Sequence, residues 1–413
     1  MTRRRRRINW FWVTVLIISI FSVGYFNRYV APEVVPPWID TPTPTRAPES
    51  FIADAESYFD QGKLVKAIDA YQEAIRSDPN DASAYIAMAR AQVFIGLYEE
   101  AQTNAEKALL LNPNNSTAHA VRAWALDFSG EYLPAEAAIK RALELDPNNA
   151  LAHAYYAEIL ADSYYAGTGP LDSIELAAEE SRVALSIAPN MMESHRARAY
   201  VLESTANYEE AIREYETAIK LNENIPDLHL SLGRNYRALG VYDKAIEEFT
   251  RANALNPADS LPDLFISRTY ATIGEYAKAV QYAEQAVKDA PTQANAHGNL
   301  GVMYYHNFQW VESAESLSLA VYGGTLGEDL AIEPLNLNNN TRTAEYYFTY
   351  ALVLARLNRC GESLQISQQI IGTIPSNELA VYNAQEAINL CQENLHSTDT
   401  PVPQEEETPT PEA

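Results

Sequence analysis

The sequence predicts an all-α solenoid of nine helical hairpins, closed by a capping helix and preceded by one N-terminal transmembrane helix. Two observations predict the solenoid: prolines recur at a fixed period, and alanines occupy two fixed positions of the same period. A third observation, the uncharged run Ile8–Phe26, predicts the transmembrane helix. The predicted segments are a basic cytoplasmic segment (1–7), the transmembrane helix (8–26), a Pro/Thr linker (27–47), the nine hairpins (48–377), the capping helix (378–395) and a disordered acidic Pro/Thr tail (396–413).

The N-terminal segment has the features of a membrane anchor. Five arginines, Arg3–Arg7, precede the uncharged run Ile8–Phe26, which as a helix would be about 28 Å long and match a bilayer core. Trp10 and Tyr25, near its two ends, are typical of membrane interfaces. Because arginines mark the cytoplasmic side, we expect an exported body. A signal peptide cleaved near Ser22–Gly24 is the alternative, and it also exports the body.

The linker and the tail share a composition that does not support a packed core. The linker centre, Thr41–Thr45, alternates threonine with proline, so we expect an extended, semi-rigid spacer. The tail from His396 adds Glu405–Glu407 and is predicted to be disordered because it is too polar to pack. Together, the arginine-rich start, the short anchor and this linker favour a single-pass protein of a bacterial cytoplasmic membrane with an extracytoplasmic body.

Charge and motif content exclude several classes of function. The formal net charge is −25, and a body this acidic repels phosphate backbones, so we expect no nucleic-acid binding. The sequence contains no phosphate-cradling glycine loop, nucleophile elbow or paired metal-ligand motif. Repeats use the chain between anchor and tail, which leaves no room for an enzyme domain. We therefore predict a protein that is not an enzyme and needs neither cofactor nor metal.

Prolines and alanines define the repeat. Pro79, Pro113 and Pro147 are equally spaced, and Pro257 and Pro291 continue the spacing after apolar runs, where proline ends a helix. Two alanine positions lie seven residues apart, close to two helical turns, so both face the same neighbour and let it approach closely. The later position holds Ala74, Ala108, Ala142, Ala184, Ala218, Ala252, Ala286 and Ala320, and the earlier one holds Ala67, Ala101, Ala135, Ala177, Ala211, Ala245 and Ala279.

One unit shows the whole pattern. Leu232–Tyr236 reads Leu-Gly-x-x-Tyr, Ala245 and Phe249 read Ala-x-x-x-Phe, and Pro257 closes the period. This succession resembles the tetratricopeptide repeat (TPR), a helix pair that recurs every ~34 residues. The resemblance implies a right-handed α-solenoid that binds protein or peptide ligands along a concave groove. The expected repeats begin at residues 48, 82, 116, 150, 192, 226, 260, 294 and 344.

Departures from the period predict irregular places in the array. The fourth repeat carries eight extra residues around Gly167–Pro170, and the eighth carries a longer insertion, Tyr322–Thr343, rich in glycine and asparagine. The fifth repeat has Glu223 where proline is expected, which predicts a looser junction there. The segment 378–395 is a single amphipathic helix that would cover the apolar end of the stack.

Histidines and cysteines have structural interpretations. Five histidines share the fourth position of their repeats, about 10 Å apart, too far to share a metal, and we expect them to be packing residues. They are His119, His153, His195, His229 and His297. Cys360 lies at the turn of repeat nine and Cys391 at the matching end of the capping helix. Because disulfides persist outside the cytoplasm, we predict a structural Cys360–Cys391 bridge; two free thiols are the alternative.

The resemblance also implies a binding surface, since the family uses fixed positions of each first helix to line the groove. Arginine forks bind carboxylates and aromatic rings give contact area, so we expect an extended peptide with acidic side chains or a free C-terminal carboxylate. Alternatively, the arginines pair with acidic residues of neighbouring repeats. The candidate groove residues are Arg90, Phe94, Trp124, Phe128, Arg196, Tyr200, Arg234, Arg237, Arg268, Asn299 and Tyr305.

The expected function is a membrane-tethered scaffold or adaptor that mediates protein–protein interaction on the extracytoplasmic side. A first alternative is an accessory subunit of an envelope polysaccharide or cell-wall assembly machine whose groove binds glycan. A second is an organelle protein-import receptor. The lysines of the family's chaperone-binding carboxylate clamp are absent although Asn299 matches one position, so that function is not carried over.

Overall fold

A computed structural model describes residues 9–26, 28, 46–327 and 330–398, with only the backbone at 396–398. The predicted basic segment (1–7), most of the predicted linker (27–47) and the predicted tail from residue 399 onwards lie outside the described residues. The chain divides into two compact units, Met1–Ala47 and Pro48–Ala413. Each unit is considered by itself.

The first unit contains one helix, α1 (Trp10–Tyr25), among its described residues. Asn9 caps it, because the Asn9 side chain accepts a hydrogen bond from the backbone N–H of Phe11. The helix has 16 residues and is shorter than the predicted span 8–26; Ile8 lies outside the described residues. In the part of the chain that the structure describes, no helix combines the length and apolarity that crossing a bilayer requires.

The second unit is an all-α array of nine consecutive helix pairs, which we number as repeats one to nine, followed by one further helix. The first helices are α2 (Pro48–Asp60), α4 (Ala82–Phe94), α6 (Ser116–Phe128), α8 (Ala150–Tyr165), α10 (Met192–Ser204), α12 (Pro226–Ala238), α14 (Leu261–Thr272), α16 (Ala294–His306) and α18 (Thr341–Arg356). The second helices are α3 (Leu64–Ser77), α5 (Tyr98–Leu111), α7 (Tyr132–Leu145), α9 (Ser173–Ile187), α11 (Tyr208–Leu221), α13 (Tyr242–Leu255), α15 (Tyr276–Asp289), α17 (Trp310–Tyr322) and α19 (Cys360–Thr373). The last helix is α20 (Glu378–Thr398).

Local sequence signals explain where these helices begin and why they pack. Asn115 and Asn149, two residues after a period-marking proline, cap α6 and α8 by accepting from backbone N–H groups three residues on. None of the alanines at the two periodic positions is more than 1 % exposed. Gly233 serves the same close approach, because a Cβ there would lie 2.5 Å from the Phe249 ring. The predicted helical array is therefore confirmed from α2 onwards.

The insertion in repeat eight folds into a structure that the sequence does not predict. Two short antiparallel strands, β1 (Gly324–Leu326) and β2 (Leu330–Ile332), pair with Gly324 opposite Ile332. The following segment is fixed to the array, because Leu335 N–H donates to the Ala320 carbonyl and Tyr347 O–H donates to the Leu335 carbonyl. The next helix, α18, begins at Thr341, three residues before the expected start of repeat nine.

The junction between repeats five and six contacts the first repeat of the array. The Asn224 side-chain amide donates to the Asp60 carbonyl at 2.8 Å, although the two residues are 164 positions apart. Gly62 has φ +68°, and a Cβ there would lie 2.3 Å from the Asn224 carbonyl oxygen. The junction beside Glu223 is thus in contact with the turn of repeat one, whereas the missing proline predicted a looser place.

The last helix closes the other end of the array. Ala380, Ala384, Ala387 and Cys391 form its buried face, at the spacing of successive helical turns. Cys391 is joined to Cys360 at the start of α19, with their Cα atoms 5.5 Å apart. The helix continues to Thr398, three residues beyond the predicted end of the cap at residue 395. The bridge therefore holds the capping helix against the last repeat.

Candidate functional site

Aromatic groove candidates in repeats two and three form a core rather than an open surface. Trp124 is completely buried and stacks on Tyr155 with ring centroids 4.3 Å apart and an interplanar angle of 6°. Phe94 packs edge-on against Trp124 at 5.0 Å. The Trp124 indole N–H donates to Glu158 at 2.9 Å. Phe94 and Trp124 are therefore covered, and among these candidates Phe128 is the more accessible at 39 % exposed.

Arg196 lies at the centre of this core and is bound on three sides. Its Nη1 donates to both carboxylate oxygens of Glu158 at 2.8 Å, and its Nε donates to Asp227 at 2.9 Å. The guanidinium also lies over the Trp124 ring, 5.0 Å from the centroid. Burial raises the pKa of Glu158 to about 7, against the opposing effects of Arg196 and the Trp124 indole N–H.

Two further arginine candidates are also matched by carboxylates of the same chain. Arg90 of repeat two forms an ion pair with Glu193 of repeat five, whose side chain is 4 % exposed. Arg234 Nε donates to Glu203 at 2.9 Å, and the Tyr215 O–H donates to the same carboxylate. For Arg196 and Arg234 the structure thus shows the alternative interpretation, pairing with acidic residues of neighbouring repeats. Arg90 is also paired within the chain, but with a residue three repeats away, which neither interpretation predicted.

Arg237 and Arg268 differ from these three arginines. None of the ion pairs among the described residues involves either of them, and Arg268 instead donates to the Asn299 side-chain carbonyl at 2.9 Å and the Tyr346 hydroxyl at 3.1 Å. Arg237 is half-buried, and its Nε has no hydrogen-bond partner among the described residues. Burial lowers the pKa of Arg237, and the positive charges of Arg342 and Arg268 lower it further.

We call Arg237, Arg268 and Arg342 the arginine cluster. Arg342 donates to Glu345 on its own helix at 2.8 Å, so the cluster holds three guanidiniums against that one paired carboxylate. Asn299 is 2 % exposed, and its side-chain oxygen already accepts a hydrogen bond from Arg268. Asn299 therefore positions Arg268 and is not available to contact a ligand. The arrangement can accept an anion, because guanidinium forks bind carboxylates with charge-assisted hydrogen bonds.

Two arginines of α18, Arg342 and Arg356, were not among the predicted groove residues. Arg356 lies over the Trp310 ring at 5.0 Å and over the ring of the candidate Tyr305 at 5.8 Å. Arg342 was also missed, because the expected start of repeat nine placed it inside the insertion. Aligning repeat nine from its asparagine cap, Asn340, which accepts from two backbone N–H groups of α18, would have placed Arg342 on a first helix.

Two cavities lie along the inner faces of the first helices. One, of about 520 Å³, is bounded by repeats three to six. It contains the candidates Phe128, Tyr200 and Arg234. The other, of about 460 Å³, is bounded by repeats one to three and five to seven. Phe128, Arg196 and Asp227 line both cavities, so the core around Arg196 separates the two spaces.

The five histidines share one role in the array. Each Nε2 lies 2.8–3.0 Å from the carbonyl oxygen six residues earlier in the chain. Because a carbonyl only accepts, Nε2 carries the proton in each case. Nδ1 of His153, His195 and His229 contacts a glutamate of the second helix of its own repeat. Among the described residues, no group of three or more His, Cys, Asp or Glu side chains is arranged to hold a metal ion.

Comparison with known proteins agrees with this architecture. The family described as "Tetratricopeptide repeat" matches residues 86–150, 196–260 and 266–326, and the family described as "TPR repeat" matches residues 55–93. Together these matches cover somewhat more than half of the chain. No curated protein matches the chain.

Two solved structures are among those that the chain matches. A chain of the APC/C hetero-tetramer Cut9–Hcn1 is 17 % identical with a TM-score of 0.48, and the match covers 69 % of this chain and 52 % of that one. A tetratricopeptide repeat protein from Parabacteroides merdae is 17 % identical with a TM-score of 0.41, covering 62 % of this chain and 98 % of that one. The protein described here thus spans about half the length of the first of these chains.

Proposed function

Because the chain belongs to the tetratricopeptide repeat family, we propose that it is a scaffold that binds a protein partner through the arginine cluster on repeats six, seven and nine. The observation that carries this proposal is the environment of Arg237. Its half-buried guanidinium is subject to the positive charges of Arg268 and Arg342, and it forms no ion pair with a carboxylate among the described residues. A partly desolvated cation among like charges is costly unless an anion joins it, so the cluster is suited to a bound carboxylate.

The anion is best supplied by a peptide. The array carries a strong excess of acidic residues, so an uncompensated group of arginines is a local exception. Forked guanidiniums recognise the planar carboxylate of a glutamate, an aspartate or a chain terminus. Trp310 contacts Arg356 at the opposite end of α18 from Arg342, about 21 Å away along the helix, and offers an aromatic contact to a longer bound segment. We therefore propose an extended acidic segment as the partner. The glycan alternative does not require uncompensated arginines.

Charge reversal at Arg237 tests this proposal. A fluorescein-labelled hexaglutamate peptide should bind the full-length chain at low salt, and Arg237→Glu should weaken binding by about tenfold or more, a loss of about 1.4 kcal/mol. Arg213→Glu is the matched control, since Arg213 is 64 % exposed on α11 and paired within its own helix. Equal affinities for the two variants would contradict the proposal, and binding of a chito-oligosaccharide in place of the peptide would support the glycan alternative.

We also propose that the uncharged run at residues 8–26 anchors the chain in a membrane, with the array on the extracytoplasmic side. The large apolar side chains of α1 support this, because Trp10, Phe11, Leu16 and Phe21 are each more than 60 % exposed and need an apolar environment. The full-length chain should stay in the membrane pellet after alkaline carbonate extraction, and deletion of residues 1–26 should release it. Protease added to intact cells should degrade the array; full protection would place the array on the cytoplasmic side instead, as in the import-receptor alternative.

A further inference from the structure

The larger of the two groove cavities is lined by more carboxyl groups than guanidiniums. Four carboxylates and two guanidiniums line it. Both guanidiniums already form ion pairs: Arg196 pairs with Glu158 and Asp227, and Arg234 pairs with Glu203. The fourth carboxylate, Asp162, accepts a hydrogen bond from the phenol of Tyr200 and has no cation of its own in the described part of the chain. We call this space, of about 520 Å³, the acidic cavity.

A further buried carboxyl group lies behind this wall. Asp127 is 3 % exposed and does not itself line the acidic cavity, but it interacts electrostatically with Asp162, Glu158 and Arg196, which do. Neither carboxylate oxygen of Asp127 receives a hydrogen bond from a donor among the described residues. Two carboxylates accept only, so Asp127 and Asp162 can be joined only by a shared proton or by a cation. Burial and the charge of Asp162 both raise the pKa of Asp127.

Aromatic rings complete the wall of the cavity. Phe128, Tyr200 and Tyr215 lie on three different helices around it, and Tyr165, which is 62 % exposed, provides an accessible edge. Aromatic faces attract cations, and they also cover the methylene groups of a long basic side chain. The volume of about 520 Å³ is within the range of small-ligand sites and exceeds what one basic side chain needs. The wall therefore suits an organic cation better than a bare metal ion.

We propose that the acidic cavity binds a lysine or arginine side chain of the protein segment that the array holds. This inference rests on the proposed scaffold function and adds a second, oppositely charged contact to it. Arg234 lines the cavity, and Arg237 of the arginine cluster follows about one helical turn later on α12. A bound segment would thus place a basic residue over repeats three to six and an acidic residue over repeats six to nine.

A hexalysine peptide tests the cavity separately from the arginine cluster. Fluorescein-labelled hexalysine should bind the full-length chain, and Asp162→Asn should weaken binding by about tenfold. Glu179→Gln removes the same charge from an exposed residue of repeat four that does not line the cavity, and it should leave the affinity within about twofold. Equal losses in both variants would show that the peptide responds only to the general negative charge of the array, which would overturn the proposal.

Covalent mapping on the unmodified protein provides a readout that needs no variant. Carbodiimide coupling should join hexalysine amines to Asp162 or Glu203, identified by mass spectrometry after digestion. Coupling confined to carboxylates outside the cavity would overturn the proposal. The two proposals can fail independently, because Arg237→Glu should not weaken hexalysine binding and Asp162→Asn should not weaken hexaglutamate binding.

Discussion

Replacing Arg196 with alanine is expected to destabilise the array by about 3–5 kcal/mol, because the change leaves the buried Glu158 carboxylate without its cation. Arg196 is 6 % exposed and Glu158 is 2 % exposed, so water cannot replace the lost interaction. The Asp227 carboxylate and the Trp124 ring lose the same partner. Urea unfolding at pH 8, followed by circular dichroism, measures the change.

A matched exposed ion pair provides the control. Arg213 donates to Glu210 at 2.7 Å, but their side chains are 64 % and 51 % exposed, so Arg213→Ala should cost no more than about 1 kcal/mol. Adding Glu158→Gln to Arg196→Ala should restore part of the lost stability, because the amide carries no charge. If Arg196→Ala unfolds at the same urea concentration as Arg213→Ala, the buried network does not have the importance assigned to it.

The stability lost in Arg196→Ala should also depend on pH, and it should be smaller at lower pH. Burial raises the pKa of Glu158 in the folded protein to about 7, above its ordinary value of 4.5, so the folded state binds this proton more tightly. Lowering the pH from 8 towards 5 therefore stabilises the folded state through this group. Without Arg196 the pKa of Glu158 should rise further, so the deficit of Arg196→Ala should be smaller at pH 5.5 than at pH 8.

Replacing Gly298 with alanine is expected to destabilise the array by about 2–3 kcal/mol, although alanine is the better helix former. A Cβ at Gly298 would lie 2.5 Å from the ring of Tyr346, which is 1 % exposed and cannot move aside into solvent. Tyr346 also accepts a hydrogen bond from Arg268, so its displacement would disturb the arginine cluster. Thermal unfolding together with the hexaglutamate affinity reports both effects.

Replacing Gly361 with alanine should instead stabilise the array. Gly361 lies in the first turn of α19, where a Cβ would meet no atom within 4 Å, so alanine should stabilise the helix by about 0.5–1 kcal/mol through propensity. A similar change in stability at both positions would contradict the close packing of Gly298 against Tyr346.

The helices were predictable because their signals are local. The period-marking prolines and the paired alanines are set within each repeat, and they gave the starts of the first helices within three residues. The strands β1 and β2 were not predicted, because their six residues show no alternation long enough to indicate a sheet. The predicted anchor rests on the same kind of local signal, an uncharged run, and stays a proposal.

The groove was less predictable because it depends on how strongly the array curves. Position within the repeat predicts which side chains line the groove, but it does not indicate which residues lie opposite them. Arg196 and Glu158 are 38 positions apart, and Arg90 meets Glu193 across three repeats. The sequence therefore could not distinguish the neutralised Arg196 from the uncompensated Arg237, although both occupy positions expected to line the groove.

The hydrogen bond between Asn224 and Asp60 has a consequence for how the first five repeats unfold. In an open array, stability is close to a sum over neighbouring units, and terminal units fray first. Here repeat one contacts the junction after repeat five, so fraying of the first unit also breaks a contact 164 positions away. Forming the Asn224–Asp60 hydrogen bond requires ordering of the residues between them. Such a long-range contact raises the contact order of the protein and slows its folding. The first five repeats should thus behave as one cooperative unit, and the additive, nearest-neighbour description should apply only beyond them.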